Sequence, residues 1–177
     1  IFLYVSYDLS YDDFQKENVY RIELNRVYPE REVDYAFIPH SISPQIVEDF
    51  PEVVRQTRIL PAFDPVTIRD GDDYYSEEKV LFTDSTLLEV INIELLEGDP
   101  ATALHPLDGV VVSERVAKKL FDGEEAIGQT LIFGDNSMKV TGVAKNYPEN
   151  SHLHFDYLIP FHRFPFLNRP NWTAFSV

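Results

Sequence analysis

The sequence lacks cysteine and has few glycines, and each shortage excludes a class of chemistry. With no Cys in 177 residues there is no disulfide and no thiolate nucleophile or metal ligand. The seven glycines form neither a Gly-x-Gly-x-x-Gly nor a Gly-x-x-x-x-Gly-Lys run, so nucleotide binding is not supported. No run approaches the roughly 18 apolar residues that a membrane-spanning helix needs.

Positive charge is also scarce. The chain has 15 basic residues against 30 acidic residues, which gives a formal net charge of −15. Such a field would repel a phosphate backbone or an anionic lipid surface, so we expect no nucleic-acid partner. We interpret the acidity as a source of solubility, with an acidic patch for a basic partner as the alternative.

The remaining composition is that of a globular protein rich in aromatic side chains. The chain is 44% hydrophobic and 25% charged, and it contains 13 Phe and 10 Tyr. These rings supply large apolar areas for a core or for a partner surface. The length suffices for one domain, or for two small lobes that share a core.

The first residues predict a helix with an aromatic face. Tyr4, Tyr7, Tyr11 and Phe14 recur at helical spacing. A helix that faces the core is one interpretation, and a helix that continues outward from a preceding membrane span is the other. Because the chain opens on Ile1 without a Met start or a signal peptide, we expect it to be a piece of a longer protein.

The next segment predicts a strand, a helix and a second strand. Residues 19–24 alternate between apolar and polar side chains, which favours a half-buried strand. A helix over residues 45–50, with Ser43 as its N-cap, is expected to end before Pro51. Residues 53–60 are the second predicted strand, and the order is compatible with one split βαβ unit.

From residue 61 onward the pattern predicts mainly strands. An acidic turn at residues 70–73 joins extended segments at 66–68 and 79–83. Ser85 is expected to cap a short helix that contains Leu87 and Leu88.

Residues 110–143 combine a strand, a helix and a hairpin. A strand at 110–112 leads into a helix that Ser113 opens and that ends at Asp122-Gly123. A hairpin is expected through residues 134–136. Gly142 lies inside the following strand, where a bulge or a close backbone approach is the usual reason for glycine.

His152, His154 and Asp156 form the pattern that most suggests a metal site. On a strand, residues two apart share a face, so two imidazoles and a carboxylate would point the same way and could hold Zn²⁺. His162 could approach them, but a structural zinc site needs four defined ligands. We therefore favour a solvated or hydrogen-bonded strand face, and we expect neither a metal nor another cofactor.

Two further patterns do not complete a site. The acidic turn at 70–73 lacks the twelve-residue layout and the closing Glu of a calcium loop. Ser151 and His152 are adjacent on a predicted strand, so they would point to opposite faces and could not act as nucleophile and base. We expect no catalytic residues and no enzyme activity.

Short motifs along nearly the whole chain share their order with a known family. They are Tyr11-Asp12-Asp13-Phe14, Val19-Tyr20-Arg21-Ile22, Gly98-Asp99-Pro100, Ala103-Leu104, Val112-Ser113-Glu114, Ala117, Leu120-Phe121, Ala126-Ile127-Gly128, Val140-Thr141-Gly142-Val143, Pro148, Asn150-Ser151-His152 and Phe155-Asp156. In this order they resemble the extracytoplasmic core domain of FtsX-like, MacB-type ABC transporter permeases, particularly the Bacteroidetes-type set.

The resemblance implies an α+β fold, a MacB-like periplasmic core with a βαβ (porter-like) lobe and an inserted strand-rich lobe. Residues 1–18 would then form a helix that continues from a preceding transmembrane span. Residues 19–60 would form the first βαβ half of the porter-like lobe, and residues 61–145 the inserted lobe. Residues 146–177 would return to the first lobe, which would be incomplete because the family has a second βαβ half.

The resemblance also implies a mechanical function. ATP hydrolysis by a cytoplasmic subunit would move the outer domains by hinge or shear, for export, lipoprotein handling or partner activation. Expected partners are the cognate ABC ATPase subunit, a second permease copy or paralogue, and a periplasmic or outer-membrane protein. The expected location is the bacterial inner membrane, with this domain in the periplasm.

Within that interpretation the aromatic helix of Tyr4, Tyr7, Tyr11 and Phe14 would be the coupling element between membrane and domain. The alternative function is a free-standing extracytoplasmic module that binds a sugar or a peptide on exposed aromatic side chains.

Overall fold

The computed structural model describes residues 18–163 and the short strand Phe175–Ser176. Across this described part, no helix is long and apolar enough to cross a membrane. The predicted aromatic helix of Tyr4, Tyr7, Tyr11 and Phe14 lies outside the described residues, so it stays a prediction.

Strands dominate the described chain, with a few short helices between them. In chain order the elements are β1 (Leu24–Tyr28), β2 (Arg31–Tyr35), β3 (Ile38–Pro39), α1 (Ile42–Asp49), β4 (Ile59–Pro61), β5 (Val66–Asp70), β6 (Asp73–Glu77), β7 (Val80–Thr83), α2 (Leu87–Val90), β8 (Leu95–Gly98), β9 (Gly109–Ser113), α3 (Glu114–Phe121), β10 (Thr130–Phe133), β11 (Asn136–Ala144), β12 (Tyr157–Pro160), a 3-10 turn (Phe161–Arg163) and β13 (Phe175–Ser176).

Most strands join one mixed sheet. Its order is β4-β7-β12-β9-β11-β10-β5-β6, and β8 pairs with the far end of β11. The pairs β7–β12 and β9–β11 are parallel, and the other pairs are antiparallel. Two small sheets, β1–β2 and β3–β13, stand apart from it. The fold is therefore the α+β class that the sequence predicts.

The centre of the sheet is covered on both faces. All residues of β9 and β12 are buried. Val110, Val112 and Tyr157 belong to the apolar cluster on one face, whereas Val111 and Leu158 belong to the cluster on the other. Successive residues of a strand point to opposite faces of the sheet, which is why neighbouring residues belong to different clusters. An uninterrupted run of apolar residues is typical of a strand that is buried on both faces.

The strand–helix unit of β9 and α3 confirms the sequence prediction. Ser113 is the N-cap of α3, and its Oγ accepts a hydrogen bond from the backbone N–H of Val116 at 3.3 Å. The helix ends at Asp122, which has φ of 41°, and Gly123 follows with φ of 91°. Two successive residues in the left-handed region end the helix, because its hydrogen-bond ladder cannot continue through them.

The acidic turn, the hairpin at residues 134–136 and the prediction for Gly142 are confirmed, but the strand after the acidic turn is not the predicted one. The turn joins β5 to β6, whereas the expected segment at 79–83 is β7, which pairs with β4 and β12. The hairpin joins β10 to β11. At Gly142 the β9–β11 register shifts, and a Cβ there would lie 3.2 Å from Cγ2 of Val111. The glycine therefore serves both a bulge and a close approach of neighbouring strands.

The first predicted strand is misplaced. The pattern predicts residues 19–24, but the strand is β1, Leu24–Tyr28, which pairs with β2 across a two-residue turn. Tyr28 lies opposite Arg31, and Leu24 lies opposite Tyr35. The tight turn sets this register, and alternation alone does not show where pairing begins.

The strand predicted over residues 53–60 is much shorter in the structure. Only Ile59–Pro61 pairs in a ladder. Upstream, the carbonyl of Gln56 accepts from the Thr86 hydroxyl at 2.6 Å, and the backbone N–H of Arg58 donates to the Asp84 carboxylate at 2.9 Å. Because side chains satisfy this backbone, no neighbouring strand is needed there.

The N-caps predicted for α1 and α2 are both wrong, whereas the predicted C-terminal end of α1 is right. The helix α1 begins at Ile42, so Ser43 lies in its first turn and donates to Oε1 of Gln56 at 2.8 Å. It ends at Asp49, ahead of Pro51 as predicted. The N-cap of α2 is Thr86 and not Ser85.

The predicted βαβ unit is not a paired unit among the described residues. β3 pairs with β13 and β4 pairs with β7, so the two strands that flank α1 belong to different sheets. β4 and β12 also share the large sheet with the strands of residues 61–145. The division of the chain into a porter-like lobe and an inserted lobe, with boundaries at residues 60 and 145, stays a prediction.

Candidate functional site at the junction around Arg58 and Asp84

The junction between the segment that contains α1 and the large sheet is built by two oppositely charged residues at strand ends. Arg58 precedes β4, and Asp84 follows β7. Since β4 and β7 are antiparallel with Ile59 opposite Thr83, the two charged residues are brought side by side. We define the junction by Arg58, Asp84, His40 and Phe161.

The ion pair of the junction is buried and bidentate. Arg58 Nε donates to Asp84 Oδ2 at 2.8 Å, and Nη2 donates to Oδ1 at 2.6 Å. The two side chains are only 9% and 7% exposed. Both carboxylate oxygens are thus satisfied, which is the arrangement that makes a buried charge tolerable.

The ring of Phe161 lies against the guanidinium group of Arg58. Its central carbon lies 4.2 Å from the ring centroid of Phe161, a distance at which a cation is attracted to the ring face. Arg58 Nη1 donates to the backbone carbonyl of His40 at 3.4 Å. The His40 ring packs on Phe161 with 6.1 Å between centroids. Arg58 therefore connects the start of α1 with the end of β12.

His40 is the unusual member of the junction. It is 2% exposed, and neither ring nitrogen has a hydrogen-bond partner among the described residues. Burial lowers the pKa of His40, and the neighbouring Arg58 lowers it further, whereas Asp84 acts in the opposite direction. The neutral imidazole is thus the form that this packing accommodates.

Hydrogen bonds between uncharged groups also connect the segment that contains α1 to the large sheet. The contacts of Gln56 with Ser43 and with Thr86 connect α1, the residues before β4, and α2. The hydroxyls of Thr57 and Thr83 lie 3.5 Å apart. Together with the ion pair, these contacts join the segment and the sheet as packed neighbours.

A second Arg–Asp pair lies at the beginning of β12. Asp156 Oδ1 accepts hydrogen bonds from Ser113 Oγ at 2.9 Å and from Arg115 Nε at 3.2 Å, and Oδ2 is bound by Arg115 Nη2. The Asp156 side chain is 5% exposed, but that of Arg115 is 56% exposed. The hydrogen bond to Asp156 raises the pKa of Arg115, although burial opposes this. The pair ties the start of α3 to the sheet.

The structure does not bring the suggested metal ligands together. Residues 151–156 are irregular and not a strand, so His152 and His154 are exposed while Asp156 is turned inward to Arg115. In the range 18–163 and at 175–176, no group of three or more His, Asp or Glu residues could hold a metal ion. The strand face predicted for these three residues is therefore wrong.

Sequence reasoning missed the junction altogether. Arg58 and Asp84 are 26 residues apart, and neither lies in a recognisable motif. The available signal was weak: each charged residue directly adjoins a short apolar strand. The spacing of His152, His154 and Asp156 draws attention to Asp156 as a possible metal ligand, but it does not indicate that Asp156 pairs with Arg115.

Solved structures of permease domains share this fold. A domain assigned to a permease protein from Porphyromonas gingivalis matches with a TM-score of 0.68 at 22% identity, covering 82% of this chain and 65% of that chain. The extracellular domain of the noncanonic ABC-type transporter YknZ from Gram-positive bacteria matches with a TM-score of 0.54 at 19% identity, over 78% and 73% of the two chains. The periplasmic region of MacB from Actinobacillus actinomycetemcomitans gives 0.49 at 18% identity, over 66% and 55%.

The likenesses to the Porphyromonas gingivalis and YknZ domains show the class of the fold. The chain spans 65% of the length of the Porphyromonas gingivalis domain. The model of the MacB-like periplasmic core domain family matches residues 2–177, and the chain belongs to that family. The resemblance seen in the short motifs is thus confirmed. A comparison with curated proteins found no match.

Proposed function

We propose that this domain is the moving extracytoplasmic part of an ABC transporter permease. It would couple ATP hydrolysis in the cytoplasm to mechanical motion outside the membrane, for export, lipoprotein handling or partner activation. The observation that carries the proposal is the family match over residues 2–177.

The buried polar groups of the described part support a mechanical role. Arg58 with Asp84 and Arg115 with Asp156 are engaged in ion pairs that join secondary-structure elements. The Ser113 hydroxyl does donate to Asp156, but Ser113 also caps α3 and both oxygens of Asp156 are bound by Arg115, so both groups are engaged in holding elements together. Their contacts hold elements in fixed relation, as a part that moves as a rigid body requires.

We further propose how force would enter and leave the domain. The predicted helix of Tyr4, Tyr7, Tyr11 and Phe14 would connect it to a membrane span. The junction would pass the movement on to the large sheet, because its buried ion pair and its hydrogen bonds join the α1 segment to β7 and α2. The partners would be the cognate ATPase subunit, a second permease copy or paralogue, and a periplasmic or outer-membrane protein, at the bacterial inner membrane.

The proposal can be tested by measuring motion in the complete permease with its ATPase subunit. The chain contains no cysteine, so D135C in the exposed turn between β10 and β11 gives this domain a single spin-label site. We expect the distance between labels in a permease dimer to change when ATP binds. The Y7A/Y11A variant should abolish that change while ATP hydrolysis continues.

A matched control separates coupling from a general effect of losing tyrosine. Tyr74 lies on β6 and is 70% exposed, so Y74A should leave the ATP-dependent distance change intact. A label distance that does not respond to ATP in the D135C domain with no other substitution would reject the mechanical proposal. An unchanged response in Y7A/Y11A would reject only the role of the aromatic helix.

A further inference from the structure

The proposed mechanical function uses the packing of the junction, but it does not use the capacity of the buried His40 imidazole to bind a proton. His40 lies between β3 and α1, at the point where this segment contacts the large sheet. The His40 side chain is 2% exposed, and neither ring nitrogen has a hydrogen-bond partner within residues 18–163 or 175–176. This is unusual, because a buried polar group normally has a hydrogen-bond partner. The surroundings of the ring therefore suit the neutral imidazole and not the imidazolium.

The charged groups that face His40 come from two other elements. Arg58, before β4, donates to the His40 carbonyl, and Asp84, after β7, is paired with Arg58. On the 3-10 turn, Phe161 contacts the His40 ring, and Nε2 of His162 lies 4.0 Å from Asp84 Oδ1. Of the remaining neighbours, Arg163 on this turn donates to Asn136, and β13 beside β3 carries only Phe175 and Ser176.

Protonation would change the charge of the junction unfavourably. An imidazolium at His40 would be a second buried cation beside Arg58. Both oxygens of Asp84 already accept hydrogen bonds from Arg58, so the new charge would lack a carboxylate of its own. A buried unpaired charge is costly, and moving the ring into water removes that cost.

We propose that His40 is a proton-operated release for the junction. The neutral ring keeps the α1 segment packed on the sheet, and its protonation detaches residues 38–50 from the end of β7 and from Phe161. The large sheet itself stays folded, because its centre is the apolar core around β9 and β12. This inference is independent of the proposed transport function, since it concerns the isolated domain.

The sign of the pH dependence follows from the lowered pKa of His40. In the detached state the imidazole regains its ordinary value of 6.5, whereas in the packed state it binds a proton only at lower pH. The detached state therefore binds more protons, and the packed state loses stability as the pH falls below about 6.5. For the uptake of one proton, the equilibrium changes by at most about tenfold per pH unit.

Hydrogen exchange on the full 177-residue chain, read by mass spectrometry, tests the release. Between pH 7.5 and 5.0, after correction for the intrinsic pH dependence of exchange, we expect protection of α1 to fall while that of β9 is unchanged. The H40F variant, whose ring stays apolar at any pH, should keep α1 protected at pH 5.0. Equal loss in H40F and in the unsubstituted chain would overturn the proposal.

Two additional measurements guard against a variant that fails to fold. H162Q keeps His40 and should still lose α1 protection on acidification; if it does not, His162 is the sensor and the proposal is wrong. In the unsubstituted chain, the NMR signal of labelled His40 should titrate below the ordinary histidine pKa and together with the exchange of α1. If His40 titrates at the ordinary histidine pKa while α1 stays fully protected, the proposed release is also wrong.

Discussion

The two Arg–Asp pairs lie at opposite ends of the same two strands and differ in their access to water. β7 and β12 are parallel, with Tyr157 opposite Val80 and Pro160 opposite Thr83. Asp156 directly precedes one end of this strand pair, and Asp84 directly follows the other. Each carboxylate is bound by a guanidinium, but the arginine is 9% exposed at the Asp84 end and 56% exposed at the Asp156 end.

The different exposure of the two arginines indicates that the two ion pairs have different structural roles. At the Asp84 end another segment covers the ion pair, so both charges depend on each other and neither can return to water without separating the segment from the sheet. At the Asp156 end the arginine reaches over the surface, and water can replace it. The closed pair holds two parts of the molecule together, whereas the open pair orients α3.

The largest expected effect is that of D84A. It leaves the Arg58 guanidinium buried without a carboxylate, and loss of one partner of a buried pair costs about 3–5 kcal/mol of the free energy of unfolding. Urea unfolding followed by circular dichroism measures this loss. The double variant R58M/D84L, which removes both charges, should recover most of it, and a double variant as unstable as D84A would show that the pair itself is not the cause.

A smaller loss is expected for D156A. The substitution removes the acceptor of Ser113 and Arg115, and we expect a cost of about 2 kcal/mol, in the range for hydrogen bonds to a charged group. The exposed guanidinium of Arg115 can be hydrated, so no uncompensated buried charge remains. Equal losses for D156A and D84A in the same urea experiment would contradict the distinction between an open and a closed pair.

R115A tests the open pair from its other side. The Asp156 carboxylate keeps the hydrogen bond from Ser113, and water can enter where the guanidinium was, so we expect a loss of about 1 kcal/mol. The corresponding R58A at the closed end should cost clearly more. Urea midpoints measured for the two arginine variants in parallel decide the point, and a reversed order would disprove it.

The smallest effect is expected for K145A at a pair that is exposed on both sides. Lys145 Nζ lies 2.8 Å from Glu94 Oε2, with side chains 56% and 63% exposed. Solvent and salt screen such a pair, so the urea midpoint should not change measurably. A clear shift would mean that exposure does not rank the ion pairs of this domain.

Local signals in the sequence were sufficient for several elements whose hydrogen bonds are local. The cap at Ser113, the helix end at Asp122-Gly123 and the turns after β5 and β10 depend on residues close in the chain, and these predictions are confirmed. The caps predicted at Ser43 and Ser85 are wrong, because the helices begin at other residues. Gly142 was also recognised, since a glycine inside an apolar strand has few explanations.

Where the backbone is satisfied by distant side chains, local reasoning failed. Residues 53–58 have the composition of a strand, but Thr86 and Asp84 take up the hydrogen bonds of Gln56 and Arg58. The same reason accounts for Asp156, which alternation placed on a face with His152 and which Arg115 turns inward. A contact over 26 or 41 residues leaves no periodic trace in the sequence.

By itself, the sequence determined the strand–helix–hairpin succession of residues 110–143, because this follows from short-range periodicity and capping. The order of its short motifs also determined the membership of the family and, through it, the α+β class. Only the tertiary structure decided which carboxylate binds which arginine, and that the His40 ring nitrogens are enclosed without a hydrogen-bond partner in the described part of the chain. Sheet order brings these groups together, and sheet order depends on pairing between strands that the linear sequence keeps far apart.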